Sequence, residues 1–291
     1  MEQGTLSERA MLVVWHASKW GGNKLDKTIS DEVAVQHNAD RSMGRYWKSL
    51  LPKEALKEIE SLDSKAYGEH MSRTLPWSDD GPRILSSLGY LEYMGIMRRW
   101  QEERAAALDR FLVLYPTWVE DAKIRLNGLF RATEYPAPET LKAKFVCSVS
   151  IFPVPDAADF RVALGDAETA RIRESLEQNT AQLIGAALRD TYQRIADVVG
   201  RMAERLRAYA VAENGKTSGI FRDSLVENVR ELVHLLPSLN IANDPVLSNV
   251  TADLSQLIAW EAETLRSDDL VRNEVATAAE RILAQITEFI A

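Results

Sequence analysis

The most regular hydrophobic spacing in the chain lies between Asp166 and Asn214, a stretch with no proline and only two glycines. Leu188, Tyr192, Ile195, Val199, Met202, Leu206 and Tyr209 step by four and three in alternation. That is a heptad seam, and it predicts one helix of roughly 45 residues, about 65–70 Å long at 1.5 Å per residue. A helix of that length needs a partner along its seam. One candidate is a second periodic stretch, from near Pro82 toward Leu126, which would make an antiparallel two-helix stalk. The other is a second copy of the chain. In the 82–126 stretch Met97, Trp100, Arg104, Ala107, Phe111, Leu114 and Trp118 share a face, and Pro116 predicts a kink or restart.

Elsewhere the pattern changes. Residues 10–18 are rich in β-branched and aromatic side chains, and 28–36 carry Ile29, Val33 and Val35 among polar neighbours. With the Gly-Gly-Asn signal of "KWGGNKLDK" (19–27) between them, they read as a hairpin with a long basic loop. A third strand is expected at 144–152, where Phe145, Cys147, Val149 and Ile151 alternate, ended by Pro153 and Pro155. Asp40 reads as the cap of a short helix over 41–50, and Pro52 as the first turn of the next. After "ENGKTSG" (213–219) three helices are expected, over about 220–236 (ended by Pro237), 246–266 and 269–290.

The predicted fold is mainly α with a β component (α+β). It has long antiparallel coiled-coil helices, a small antiparallel β-sheet near the N-terminal half and a C-terminal helical bundle. Residues 1–165 would form a mixed head and 166–291 the long helix with its followers, or the stalk would join both into one continuous unit.

Composition narrows the function classes. With 46% hydrophobic and 27% charged residues the 291-residue chain is an ordinary globular one. A net charge of −8 disfavours a surface built wholly for nucleic acid but leaves room for a local basic patch. Cys147 is the only cysteine, which excludes an internal disulfide and a CxxC metal site. No run approaches 18 apolar residues and the N-terminal stretch lacks a secretory pattern, so a cytoplasmic protein without membrane contact is expected. Six of the seven tryptophans precede residue 119, either as packing or as a specific surface in that half.

The usual catalytic motifs fail one by one. "NGKTSG" (214–219) ends like a phosphate-binding loop, but Ala210 stands where the leading glycine belongs and a helix precedes it. His16, His37, His70 and His234 form no i, i+4 pair. Cys147 reads as a buried small hydrophobe. "TLPWSDDGPRIL" (74–85) could offer Asp79 and Asp80, with His70, to a magnesium ion. It reads more simply as a capped corner between helices, with Trp77 pinning it and Pro82 opening the next helix. No catalytic residue, cofactor or metal is therefore assigned.

The positive charge that exists is local. Lys19, Trp20, Lys24 and Lys27 lie in one stretch, and Arg41, Arg45, Tyr46, Trp47 and Lys48 in another. Cations beside rings suit a single-stranded nucleic acid, although Asp26, Asp31, Glu32 and Asp40 are interleaved.

Four stretches carry a resemblance: "HNADRSMGRYWKSLLPKEAL" (37–56), "RTLPWSDDGPRIL" (73–85), "PVPDAADFRVALGD" (153–166) and "FRDSLVENVRELVHLLPSLNIANDP" (221–245). Together they resemble a family of uncharacterised proteins carried by bacteriophages, plasmids and integrative elements, a domain of unknown function. The resemblance implies a setting near phage-type recombination functions, a MoxR-type AAA+ ATPase and a von Willebrand A protein of the cobalt-chelatase kind. It assigns no catalytic residue. The expectation is a non-enzymatic helical adaptor or scaffold of a phage or mobile-element DNA-processing or ATPase system. Its protein partner would be an AAA+ ATPase or a recombination protein, and Leu188 to Leu206 would be its interaction seam, with a homo-oligomer also open. The alternative is a single-strand binding or annealing protein acting through Lys19, Trp20, Lys24, Lys27, Arg41, Arg45 and Trp47.

Overall fold

The computed structural model describes residues 5–78, 81–157, 166–211 and 217–290. The fold is mainly α with a small antiparallel sheet of four strands. Packing divides the chain into two compact units. One, the bundle unit, takes Met1–Val14, Met71–Tyr93 and Ile151–Ala291; the other, the aromatic unit, takes Trp15–His70 and Met94–Ser150. Each gathers separated stretches, so no boundary falls at residue 165.

The bundle unit is organised by α6 (Asp166–Ala208), a 43-residue helix close to the predicted length. Its seam residues Tyr192, Ile195, Val199, Met202 and Leu206 are buried, with Leu188 packed beside them. What covers them are the chain's own helices α7 (Asp223–Leu239) and α10 (Asp269–Ile290), on which α8 (Pro245–Leu257) packs in turn. Hence the expectation of a seam offered to another protein is corrected: Val226, Val229, Leu236, Val275, Ala279 and Ile282 already occupy it. At the other end of this unit Ala10, Leu12, Leu75, Trp77 and Ile84 pack on Ala187, Leu235 and Leu239.

Those residues come from the sheet, whose order is β4 (Leu75–Pro76), β5 (Arg83–Ser86), β1 (Ala10–Ala17) and β6 (Cys147–Pro153). β1 runs antiparallel to β5, Ala10 facing Ser86 and Val13 facing Arg83. Leu75–Pro76 pairs antiparallel with Arg83–Ser86, so residues 83–86 form a strand where the start of a helix was expected. Ile84 and Leu85 point to opposite faces and both are buried, a strand environment, and Pro82 leads into that strand. Thr74 is fixed by Arg83, whose Nε donates to its Oγ1 at 2.7 Å, and by Arg194 of α6, whose Nη2 donates to its carbonyl at 2.9 Å. Asp79 and Asp80, the proposed metal ligands or caps, lie outside the described residues.

Several helix boundaries also differ from expectation. The long helix α4 begins at Tyr90, after β5, and runs to Leu126 through Pro116 without a restart. Proline removes one ladder bond there, but Phe111, Tyr115 and Trp118 pack into one aromatic cluster on both sides of it. Pro237 likewise lies within the last turn of α7, where Leu235, Leu236 and Leu239 are buried and Ser238 Oγ donates to the Leu235 carbonyl. The helix expected over 246–266 divides into α8 and α9 (Ala262–Ser267), which lets Ala262 and Leu265 enter the core. α3 (Lys57–Arg73) starts five residues after Pro52, because 53–56 form turns with Ala55 N–H donating to the Pro52 carbonyl.

The aromatic unit has its own core. Phe111, Tyr115 and Phe145 form its centre, with Trp20, Trp118 and Tyr135 at the edges and Ile59 and Leu141 filling in. Trp20 meets Tyr115 edge to face at 6.1 Å. Arg104 is buried here, its Nε 2.5 Å from Asp63 and its Nη2 donating to the Ser18 carbonyl at 2.7 Å.

Candidate interaction surface

The predicted hairpin of 10–18 with 28–36 is replaced by a different arrangement. β2 (Asn23–Asp26) pairs antiparallel with β3 (Tyr46–Ser49), and residues Lys27–Gln36 between them form helix α2. Asp26 explains the change: its carboxylate accepts the Ile29 N–H at 3.2 Å, an N-cap that starts a helix. Ile29 and Val33 then fall one turn apart, while a strand would have needed a buried face that Val33 and Val35 lack, both being exposed. The helix expected over 41–50 is β3 instead. Asp40 does cap, but only a local turn, accepting Ser42 N–H and Oγ at 2.7 Å each. Those bonds hold its carboxyl below the usual range.

One buried ion cluster locks this region. Lys48 is fully buried, and its ammonium lies 2.9 Å from Asp26 Oδ2 and 2.8 Å from Glu134 Oε2, and donates to the Leu129 carbonyl at 3.1 Å. It donates to Glu134 Oε1 at 3.0 Å as well as to the Leu129 carbonyl, and with the Asp26 ion pair these contacts compensate the buried ammonium. Burial works against the charge, but the bonds to Glu134 and Asp26 outweigh it and hold Lys48 above its usual range. The same Lys48 bond, with the Ile29 N–H, lowers Asp26. Asp26 therefore caps α2 and anchors β3 at once.

Successive strand residues face opposite ways, so Trp47 points away from buried Lys48 and lies opposite Leu25. It is 58% exposed. Ser30 Oγ donates to the Asp26 carbonyl at 2.6 Å and accepts the Tyr46 N–H at 2.9 Å, tying α2 to β3. Asn38, in the left-handed region at φ 50°, turns the chain out of α2. The result is a groove of about 360 Å³ between α2 and the 37–46 loop, with Val33, Ala34, Met43 and Tyr46 as walls and His37 and Arg45 at its polar side. Met43 is 82% exposed, and Val33 and Tyr46, which line the groove with it, are exposed too.

The proposed nucleic-acid residues are only partly brought together. Lys19 is paired with Glu60 at 2.5 Å, Trp20 is held in the aromatic core, and Arg41 lies 3.8 Å from Asp31. Lys24, opposite Lys48, and Trp47, opposite Leu25, lie on opposite faces of the β2–β3 ribbon, with Lys27 and Arg45 just beyond its strands, and the three cations have no ion-pair partner among the described residues. Sequence reasoning missed the Lys48 lock and the groove residues Val33 and Met43. An aspartate three residues before Ile29 was the available sign of an N-cap.

Other candidate groups are structural. His70 is buried in α3, and no cluster of three or more His, Cys, Asp or Glu side chains converges among the described residues. Burial pushes the half-buried Cys147 thiol up to about 11. The phosphate-loop-like residues 212–216 lie outside the described residues, and β7 (Ala210–Val211) pairs with β8 (Thr217–Ser218) on either side of them. Among the described residues no helix is long and apolar enough to cross a membrane. No family model, no curated protein and no solved structure matches this chain.

Proposed function

We propose that this protein is a non-catalytic adaptor that docks a protein partner through the α2–β3 surface of its aromatic unit. The observation that carries this reading is the groove lined by Val33, Ala34, Met43 and Tyr46, of which Val33, Met43 and Tyr46 are exposed. Large apolar side chains gathered on a surface mark binding sites, and Met, Tyr, Trp and Arg are the residue types enriched in interface cores. The resemblance to phage and integrative-element proteins favours an AAA+ ATPase or a recombination protein as partner, and the cytoplasm as the place. The test is calorimetric titration of the purified chain with the MoxR-type ATPase that the resemblance implies. Binding by the wild type, lost in a folded Val33→Asp, Met43→Ala double variant, supports the reading. Equal binding by the variant removes this surface, and no binding by the wild type removes this partner.

A second reading has its own support. Arg45 lies two residues from the exposed Trp47, so a single strand could stack on the ring while a phosphate meets the guanidinium. Fluorescence anisotropy with labelled oligothymidylate at two salt concentrations checks it. Salt-sensitive binding lost in Trp47→Ala would favour this reading over the adaptor.

A further inference from the structure

The four-stranded sheet has two edges, and they differ. β4, at one end, is two residues long, with Leu75 buried and a proline that offers no N–H. β6, at the other, runs seven residues from Cys147 to Pro153 and pairs only with β1 among the described residues. We infer that the free edge of β6 pairs antiparallel with β6 of a second copy of this chain, about a two-fold axis at Ser150. This edge is separate from the α2 groove, and the inference does not rest on the adaptor reading.

Backbone chemistry comes first. An edge strand carries a row of N–H and C=O groups without a sheet partner, and a second strand satisfies the whole row at once. Natural edges are guarded by charge, by proline, by shortness or by a covering element. The residues of β6, CSVSIFP, carry no charge, and the only proline is the last of them. Nothing covers its second half, where Ser150 to Pro153 are exposed. Ile151 is 43% and Phe152 47% exposed, and successive strand residues face opposite ways, so apolar surface is open on both faces of this edge.

Self-complementarity comes second and selects the occupant. An antiparallel pair centred on Ser150 sets Ile151 of one copy opposite Val149 of the other, and the two-fold axis makes that β-branched contact twice. Ser150 faces its own counterpart, and no like charges oppose each other along the strand. Charge at the ends sets the direction. Lys144 stands three residues before the strand and Asp156 three after it. Antiparallel pairing brings the lysine of each copy to the end that holds the aspartate of the other, whereas parallel pairing would set like beside like. Lys144 has no ion-pair partner among the described residues, while Lys142 behind it is paired with Asp109 at 3.3 Å. Asp156 already accepts the Ser7 hydroxyl at 3.0 Å, and a carboxylate has acceptor sites for further donors. The pairing closes both β6 edges together, and the guarded β4 edge stops growth at two copies.

The experiment is sedimentation equilibrium of the purified full-length chain over a hundredfold range of concentration. It compares the wild type, Ser150→Lys, Ser150→Glu and an equimolar mixture of the two variants. The wild type should pass from the mass of one chain to that of two as concentration rises. Each variant alone sets like charges against each other on the axis, so its dimer should weaken more than tenfold. The mixture should recover the two-chain species, because the introduced ammonium then faces the introduced carboxylate. Ser150 is exposed, and circular dichroism confirms that each variant is folded. Hydrogen exchange of the wild type needs no variant: the amides of residues 148–152 should exchange more slowly at high concentration than at low. A wild type that stays monomeric, a dimer that survives both substitutions, a mixture that does not recover, or exchange independent of concentration would overturn the inference. So would growth beyond two chains. Protection of these amides only when the MoxR-type ATPase is added would overturn it by giving the edge to a segment of another protein.

Discussion

Lys48 and Asp26 meet at 2.9 Å on the buried face of a two-stranded ribbon whose other face exposes Trp47. The interaction surface is thus held in place from behind by charge. Replacing Lys48 with methionine keeps its bulk but leaves Asp26 and Glu134 buried without a counter-ion. Breaking a buried pair in this way costs about 3–5 kcal/mol. The variant should show a matching loss in urea unfolding followed by tryptophan fluorescence. Adding Asp26→Asn and Glu134→Gln removes the stranded charges, and asparagine still offers an oxygen to the Ile29 N–H. The triple variant should recover most of the loss. If Lys48→Met alone unfolds at the wild-type urea concentration, the ion cluster is not what holds the ribbon.

The same pair fixes a pH dependence. The Asp26 carboxyl lies below its unfolded value because Lys48 and the Ile29 N–H hold its ionised form. Its contribution is present above the unfolded carboxylate value and is lost as pH falls through the lowered folded value. Lys48 is held above its unfolded value, so its contribution is present below the ordinary lysine value and is lost as pH rises through the raised one. The ribbon should therefore be most stable over the broad neutral range. Other carboxylates titrate too, so the useful quantity is the difference in unfolding midpoint between wild type and Asp26→Asn. That difference should be constant near neutrality and shrink in acid. A difference that grows in acid would contradict the assignment.

How much of this was legible in the sequence follows from the range of each interaction. The α6 seam repeats over many turns, so its period is unambiguous and the helix emerges at nearly the expected length. Met97, Ala107 and Phe111 are buried for the same reason. The residues of α2 suit a strand as well as a helix, because four apolar residues in ten fit either period and one cap decides between them. The pairing of β4 with β5 is hidden by Pro82, which suits a helix start equally well. The Lys48 cluster joins residues 86 apart, and no local pattern announces that a lysine beside a tryptophan is buried while the tryptophan is not.

Cys147 offers an independent check on the strand β6. Its thiol is half-buried and pushed up to about 11, so at neutral pH far less of it is thiolate than for a free cysteine of about 8.5. Iodoacetamide should label it more than tenfold slower than glutathione at the same pH, with the rate still climbing toward pH 11. Unfolding in urea should remove the difference. Rapid labelling of the native chain would mean that this end of β6 is open to solvent.

The seam of α6 makes the sharpest contrast between an interface and a core. Ile195 and Val199 are fully buried on a helix that packs against α7 and α10, so they are positions of the fold rather than of a docking face. Ile195→Asp places a carboxylate among apolar neighbours that offer it no partner, a change in the class that costs about 4 kcal/mol or more. The expected outcome is loss of helical circular dichroism and of a cooperative thermal transition. Val35→Asp, on the exposed side of α2, should leave both unchanged. If Ile195→Asp remained folded and merely failed to bind a partner, the seam would have to open to solvent. The packing of α6 under the C-terminal helices would then describe only one of two states.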